Sequence, residues 1–161
     1  MKKTIKEKSP RGFFRIQITE EGKGVMGDTG WKENTVTNLG INQYVVNWLL
    51  GDTGNGKSIT FMALGSGSAP ASNGTDAAGV ALLGEVTKRA AVSASLVQSR
   101  TAQFTAQFAS SNSFVGSTVN ISNIGLFNTS SGGTIFAGNT YASSSCATNQ
   151  NVNATYQIRF S

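Results

Sequence analysis

The chain predicts a mainly β fold: an antiparallel β-sandwich, jelly-roll-like, of about eight strands, with one short helix and an extended N-terminal arm. Three observations carry that expectation. Apolar and polar residues alternate in several stretches with the two-residue period of half-buried strands. Clusters of Gly, Asn, Asp and Ser separate those stretches at short spacing, as turns do. Only one window places its apolar residues three and four apart, the spacing of a helix face.

Residues 1–12 read as a basic arm and 13–161 as a single domain. Phe14, Ile16 and Ile18 alternate with Arg15, Gln17 and Thr19 to give the first strand. Turn residues follow at 21–24 and 27–30, and 31–36 is a further extended piece. Thr37 or Asn38 can cap a helix over about 38–50, with Ile41, Val45, Trp48 and Leu49 on its apolar face and Gly51 as its stop. The apolar run 59–64 lies between Lys57-Ser58 and Gly65-Ser66-Gly67-Ser68 and reads as a buried strand. Residues 69–79, with Pro70, Asn73-Gly74 and Asp76, read as a long surface loop, and 143–151 as another. From Val86 the positions Ala90, Val92, Ala94 and Leu96 line one face of a strand. Phe104, Ala106 and Phe108 repeat the pattern after a turn near Gln98-Ser99-Arg100. A hairpin turning at 128–133 and an alternating final strand with Val152, Ala154, Tyr156, Ile158 and Phe160 complete the fold.

Composition argues against catalysis. The chain of 161 residues has no His, and no Asp or Glu follows Glu85. Proton transfer and metal binding therefore have few side chains to use, and neither a catalytic residue nor a cofactor is expected. Cys146 is the only cysteine, so no internal disulfide forms, and a thiol with no His beside it reads as a buried bystander. No stretch approaches the roughly 20 apolar residues of a membrane span, so no membrane partner is expected.

The formal net charge of +5 is local. Lys2, Lys3, Lys6, Lys8 and Arg11 against Glu7 leave the first eleven residues at +4 and the remainder near neutral. Such an arm suits an acidic protein surface. Nucleic acid is the less favoured partner, because the net positive charge is confined to the arm and no exposed aromatic platform accompanies it.

Gly51-Asp52-Thr53-Gly54-Asn55-Gly56-Lys57-Ser58 matches the phosphate-binding pattern G-x-x-x-x-G-K-[ST]. We read Gly51, Gly56, Lys57 and Ser58 as a false match. A phosphate loop needs a strand before it and a helix N-terminus after it, and here a helix precedes and a short strand follows.

Several segments resemble small virion proteins of tailed bacteriophages. They are Asn38-Leu39-Gly40-Ile41, Phe61-Met62-Ala63-Leu64-Gly65-Ser66-Gly67, Leu83-Gly84-Glu85-Val86-Thr87-Lys88-Arg89, Phe104-Thr105-Ala106-Gln107-Phe108, Ile124-Gly125-Leu126-Phe127-Asn128 and Gly132-Gly133-Thr134-Ile135-Phe136-Ala137. Asn123 stands where similar proteins often carry an acidic residue. The resemblance implies a non-enzymatic particle component made in the host cytoplasm and resident in the virion. The expected role is a capsid decoration or cement protein that binds the major capsid protein, or neighbouring virion proteins, through its basic arm and sandwich. By analogy a homo-oligomer is implied, with a trimer as the guess. The alternative is a tail or fibre module for attachment or host glycan binding.

Overall fold

Ten antiparallel strands build one sheet that curves until it nearly closes into a barrel around the main apolar core. The computed structural model describes residues 10–51, 54, 57–70, 82–86 and 88–160. The strands are β1 Arg11–Glu20, β2 Gly24–Asp28, β3 Lys32–Val36, β4 Phe61–Gly65, β5 Ala90–Ala91, β6 Ser93–Gln98, β7 Thr101–Phe108, β8 Val119–Phe127, β9 Ile135–Cys146 and β10 Gln150–Arg159. Their order is β5-β4-β8-β9-β3-β1-β10-β7-β6, with β2 paired to β1. The expected antiparallel β fold with one short helix is present.

Two strands make the corners. β3 pairs with β1 through Lys32 to Asn34, then with β9 through Thr35 and Val36. On the far side β5 pairs with β4, and one residue later the chain continues as β6 beside β7. The residue between them is Val92, whose N–H donates to the Thr60 carbonyl at 2.9 Å. A strand that changes neighbours in this way lets one sheet wrap around a core.

Alternation puts Phe14, Ile16, Ile18, Phe104, Phe108, Val152, Tyr156 and Ile158 inside, all buried. Tyr141 and Phe114 also lie in the core, in ring contact with Phe14 and Phe108 respectively. Cys146 is fully buried and burial raises its thiol pKa, as a bystander thiol requires.

Four expectations need correction. Residues 24–28 form a strand where turn residues predicted a loop, because β2 folds back along β1 with a bulge at Ile18 and Thr19. The strand expected from Val86 to Leu96 breaks at Val92, and its second half turns outward. β9 runs on to Cys146, so 143–146 are strand and only the short turn beyond it connects to β10. β1 begins at Arg11, so the last residues assigned to the arm belong to the sheet. The early part of the arm, with Lys2, Lys3, Lys6 and Lys8, lies outside the described residues, as does most of the loop 69–79.

Helix α1 runs through Asn38–Gly40 as α, Ile41–Val46 as π and Asn47–Leu49 as α. Thr37 caps it, its hydroxyl accepting from the Gly40 N–H at 2.8 Å. Gly51, at φ +72°, ends it. Gly40 is needed here because a Cβ would stand 2.2 Å from the Phe136 carbonyl oxygen on β9. The π segment shifts the phase of the side chains that follow. Tyr44 therefore faces β9, 5.1 Å from the Phe136 ring, with its hydroxyl donating to the Thr134 carbonyl.

The outer face of β4, β8 and β9 carries a second small core of Ala63, Leu82, Phe127 and Ile135. Gly65, Ser66 and Gly67 lie tightly against Leu83, Gly84 and Glu85. The Ser66 and Gly67 N–H groups donate to the Gly84 and Leu83 carbonyls at 2.9 and 3.0 Å. Asn123, fully buried, donates its Nδ2 to the Ser68 carbonyl at 3.1 Å and the Leu83 carbonyl at 2.8 Å. An acidic side chain has no such donor, which gives the amide at this position a physical reason.

Arg89 locks the cover down. Its side chain is 2% exposed and donates to both Glu85 oxygens, Nε to Oε1 at 2.9 Å and Nη2 to Oε2 at 3.1 Å. Its Nη1 donates to the Thr129 and Gly132 carbonyls of the β8–β9 turn at 3.0 and 2.7 Å. The guanidinium lies 3.7 Å from the Phe127 ring centroid.

Breaking such a buried pair from one side costs about 3 kcal/mol. Arg89→Met lowers the unfolding free energy by that order, and Arg89→Lys loses most of it because an ammonium cannot fork to carboxylate and carbonyls together. Chemical denaturation of the three proteins checks both values. Asn123→Asp adds a buried carboxylate facing two carbonyls, which raises its folded-state pKa above the unfolded value. Its penalty is therefore full at neutral pH and shrinks as pH falls through that raised pKa. Melting temperatures at pH 7 and pH 4, referred to the parent, read the change.

Candidate interaction surface

Barrel closure is incomplete beside β6. On the core side Ala94 stands opposite Phe104 and Leu96 opposite Ala102, yet β6 is exposed along its whole length. Beyond Val92 this strand pairs only with β7 among the described residues. Its sequence, Ser93-Ala94-Ser95-Leu96-Val97-Gln98, carries no charge and no proline, the usual protections of an open edge. A bulge between Leu96 and Gln98 is the one such device present.

Helix α1 lies across the open side. Between it and the strand ends is a cleft of about 160 Å³ lined by Val45, Ile59, Ala102, Phe104, Ile158 and Phe160, among others. Lys57 also borders the cleft. Its ammonium donates to the Thr134 hydroxyl, and its carbonyl accepts from Trp48 Nε1 at 3.1 Å. Burial pushes the Tyr44 phenol at the base of the cleft well above its ordinary pKa.

Lys57 aside, α1, β6 and Phe160 expose large apolar side chains. Leu49 is 81% exposed, Leu50 76% and Leu96 78%, with Val46, Trp48 and Phe160 also exposed. No charged residue occurs from Asn38 to Gly51. Ordinary monomers scatter exposed apolar residues singly, whereas a group of this kind marks an interaction site.

No family model, curated protein or solved structure matches the chain. The surface itself is therefore the source of any functional reading.

The structure disperses the residues that the sequence singled out. Gly51 closes the helix, Gly56 lies outside the described residues, and Lys57 and Ser58 lead into β4. The order is helix, loop, strand, the reverse of what a phosphate loop requires. Arg11 pairs with Glu33, Nη2 to Oε1 at 2.7 Å, and lies 5.4 Å from the Phe13 ring centroid. Among the described residues no three His, Cys, Asp or Glu side chains group together as metal ligands do. The nearby pair of Arg15 and Asp28 holds that carboxyl well below the usual carboxylate range, chiefly through the side-chain hydrogen bond and then through the Gly30 N–H.

The expected helix face was displaced. Val45 is partly buried, but Trp48 and Leu49 face outward because the π segment brings Tyr44 to the sheet instead. A signal for this lay in Trp48-Leu49-Leu50, since three consecutive apolar residues on a helix cannot share one narrow face. Leu96 and Phe160 gave no comparable signal, since each continues a regular alternation.

Leu49 and Leu50 touch little within the chain, so replacing both by Ser leaves the melting temperature within about 2 °C of the parent. The same double substitution lowers concentration-dependent self-association. Sedimentation velocity across a concentration series, paired with thermal melts, checks both halves.

Proposed function

We propose that the chain is a non-enzymatic structural protein of a tailed-phage virion, a capsid decoration or cement protein that acts in many copies on the outer head. The observation that carries this reading is the uncharged, apolar surface of α1 and β6 around the open side of the barrel. Burying that surface against protein supplies the drive for assembly. A near-neutral domain adds no long-range repulsion between copies.

The segments that resemble virion proteins support the same reading from inside the fold. Gly65 to Gly67, Leu83 to Glu85, Arg89, Phe127 and the 128–133 turn converge on one packed layer, so the likeness rests on parts that hold the structure. We read the nearly closed sheet as the jelly-roll-like sandwich form of such proteins. A homo-oligomer, three-fold by analogy, places the apolar surfaces together, and the basic arm with Lys2, Lys3, Lys6 and Lys8 contacts acidic patches of the major capsid protein.

Removing residues 1–9, which leaves β1 whole, is the test of the arm. The full chain should load onto particles that lack it with an occupancy that falls steeply across a salt titration, and the truncated chain should show lower occupancy with little salt dependence. Equal occupancy of the two at every salt concentration would contradict the proposed role of the arm. Finding the protein only at the tail of imaged particles would contradict the decoration role.

A further inference from the structure

The outward face of β7 and the middle of β10 is built from neutral hydrogen-bonding side chains, while β1 beside them carries Phe13 and the ion-paired Arg11 and Arg15. Gln103, Thr105 and Gln107 on β7 stand opposite Gln157, Thr155 and Asn153 on β10, which face Phe13, Arg15 and Gln17 on β1. Asn is depleted in strands, and a solvated sheet face ordinarily gains from cross-strand pairs of opposite charge. Between β7 and β10, amides and hydroxyls stand in place of such pairs.

The side-chain lengths carve this face into a trough. Ser93, Thr105 and Thr155 form a row of short side chains running across the strands. On one side stand Gln103 and Gln157, with Gln157 Nε2 donating to Gln103 Oε1 at 2.8 Å and Arg159 Nη2 donating to Gln157 Oε1, also at 2.8 Å. On the other side stand Gln107 and Asn153. The hollow along this second wall has a volume of about 520 Å³ and is lined by Ser93, Thr105, Gln107, Asn153 and Thr155 together with alanines. Gln107 is exposed and makes no side-chain hydrogen bond within the described residues. From β6 to β1 the row spans three strand spacings, about 14 Å.

We propose that this trough binds a neutral, hydroxyl-rich glycan chain laid across the strands. An amide presents both donors and an acceptor, as a sugar hydroxyl presents both roles, so each wall can answer either. No charged side chain lines the hollow, and Arg15 at the end of the row is engaged by Asp28. An anionic chain therefore gains nothing there. A protein partner is the poorer fit, because protein interfaces concentrate aromatic residues, Met and Arg at their centre and the lining of the hollow offers hydroxyls, amides and alanines. The site lies apart from the apolar surface of α1 and β6, and it stands or falls independently of where in a particle the chain sits.

The test is a nuclear magnetic resonance titration of the isotope-labelled full chain, following the side-chain amide signals of Gln103, Gln107 and Asn153. The probes are cellohexaose, maltohexaose and chitohexaose as neutral chains, a heparin hexasaccharide as the anionic one, and an uncharged Gly-Ser-Asn peptide. At least one neutral hexasaccharide should shift the Gln107 and Asn153 signals. Thr155→Gln, which fills the row, and Gln107→Ala, which removes a wall, should each weaken that binding about tenfold while leaving the melting temperature unchanged. The proposal is overturned if none of the neutral chains shifts these signals, if only heparin or the peptide does, or if both variants bind as the parent does.

Discussion

The fold depends on one short segment belonging to two neighbours in succession. Ala90 and Ala91 complete β4, Val92 turns while bonded to Thr60, and Ser93 onward completes β7. Without that change of partner the ten-strand sheet would remain open, and the core between Phe14, Tyr156 and Ile124 would face water. With it, the sheet closes at one end and stays parted at the other. The parted end is where α1 lies, where β6 projects and where the exposed apolar side chains gather. Closure geometry and candidate interface are two results of the same corner.

A second constraint comes from the outer face of β4, β8 and β9, which is apolar on both sides and needs a cover. Short apolar side chains and glycines admit that cover at close range, but they do not hold it in place. Arg89 does, by joining Glu85, two turn carbonyls and the Phe127 ring. Four hydrogen bonds, two of them to a carboxylate, together with the Phe127 ring face make a nearly inaccessible guanidinium tolerable. Asn123 performs a smaller version of the same task with two carbonyls.

Much of the core was legible in the sequence because it depends on alternation alone. Phe14 to Ile18, Phe104 to Phe108 and Val152 to Ile158 point inward as their period requires, and Thr37 and Gly51 mark the helix ends. What stayed hidden depends on single-residue changes of phase. One extra residue per turn in Ile41–Val46 moved Tyr44 to the sheet, and one corner residue after β5 sent Leu96 into solvent. Arg89 was hidden for a related reason. Alternation placed it with Thr87 and Ser93 on a polar face, whereas its environment is set by a turn some forty residues later in the chain. The apolar surface was thus visible only as separate residues, each with an ordinary explanation.

That surface also divides the molecule by chemistry. Apolar side chains, with Lys57 among them, surround the cleft beside α1, while neutral polar ones cover the hollow between β7 and β10. The account turns on the first of these being covered when the protein works. Hydrogen exchange read by mass spectrometry on the free protein and on the same protein loaded onto the proposed phage head tests this most directly. The account predicts that backbone amides in β6 and α1 exchange at least about tenfold more slowly in the assembled state. Unchanged exchange in both elements, with new protection appearing elsewhere on the barrel, would contradict it.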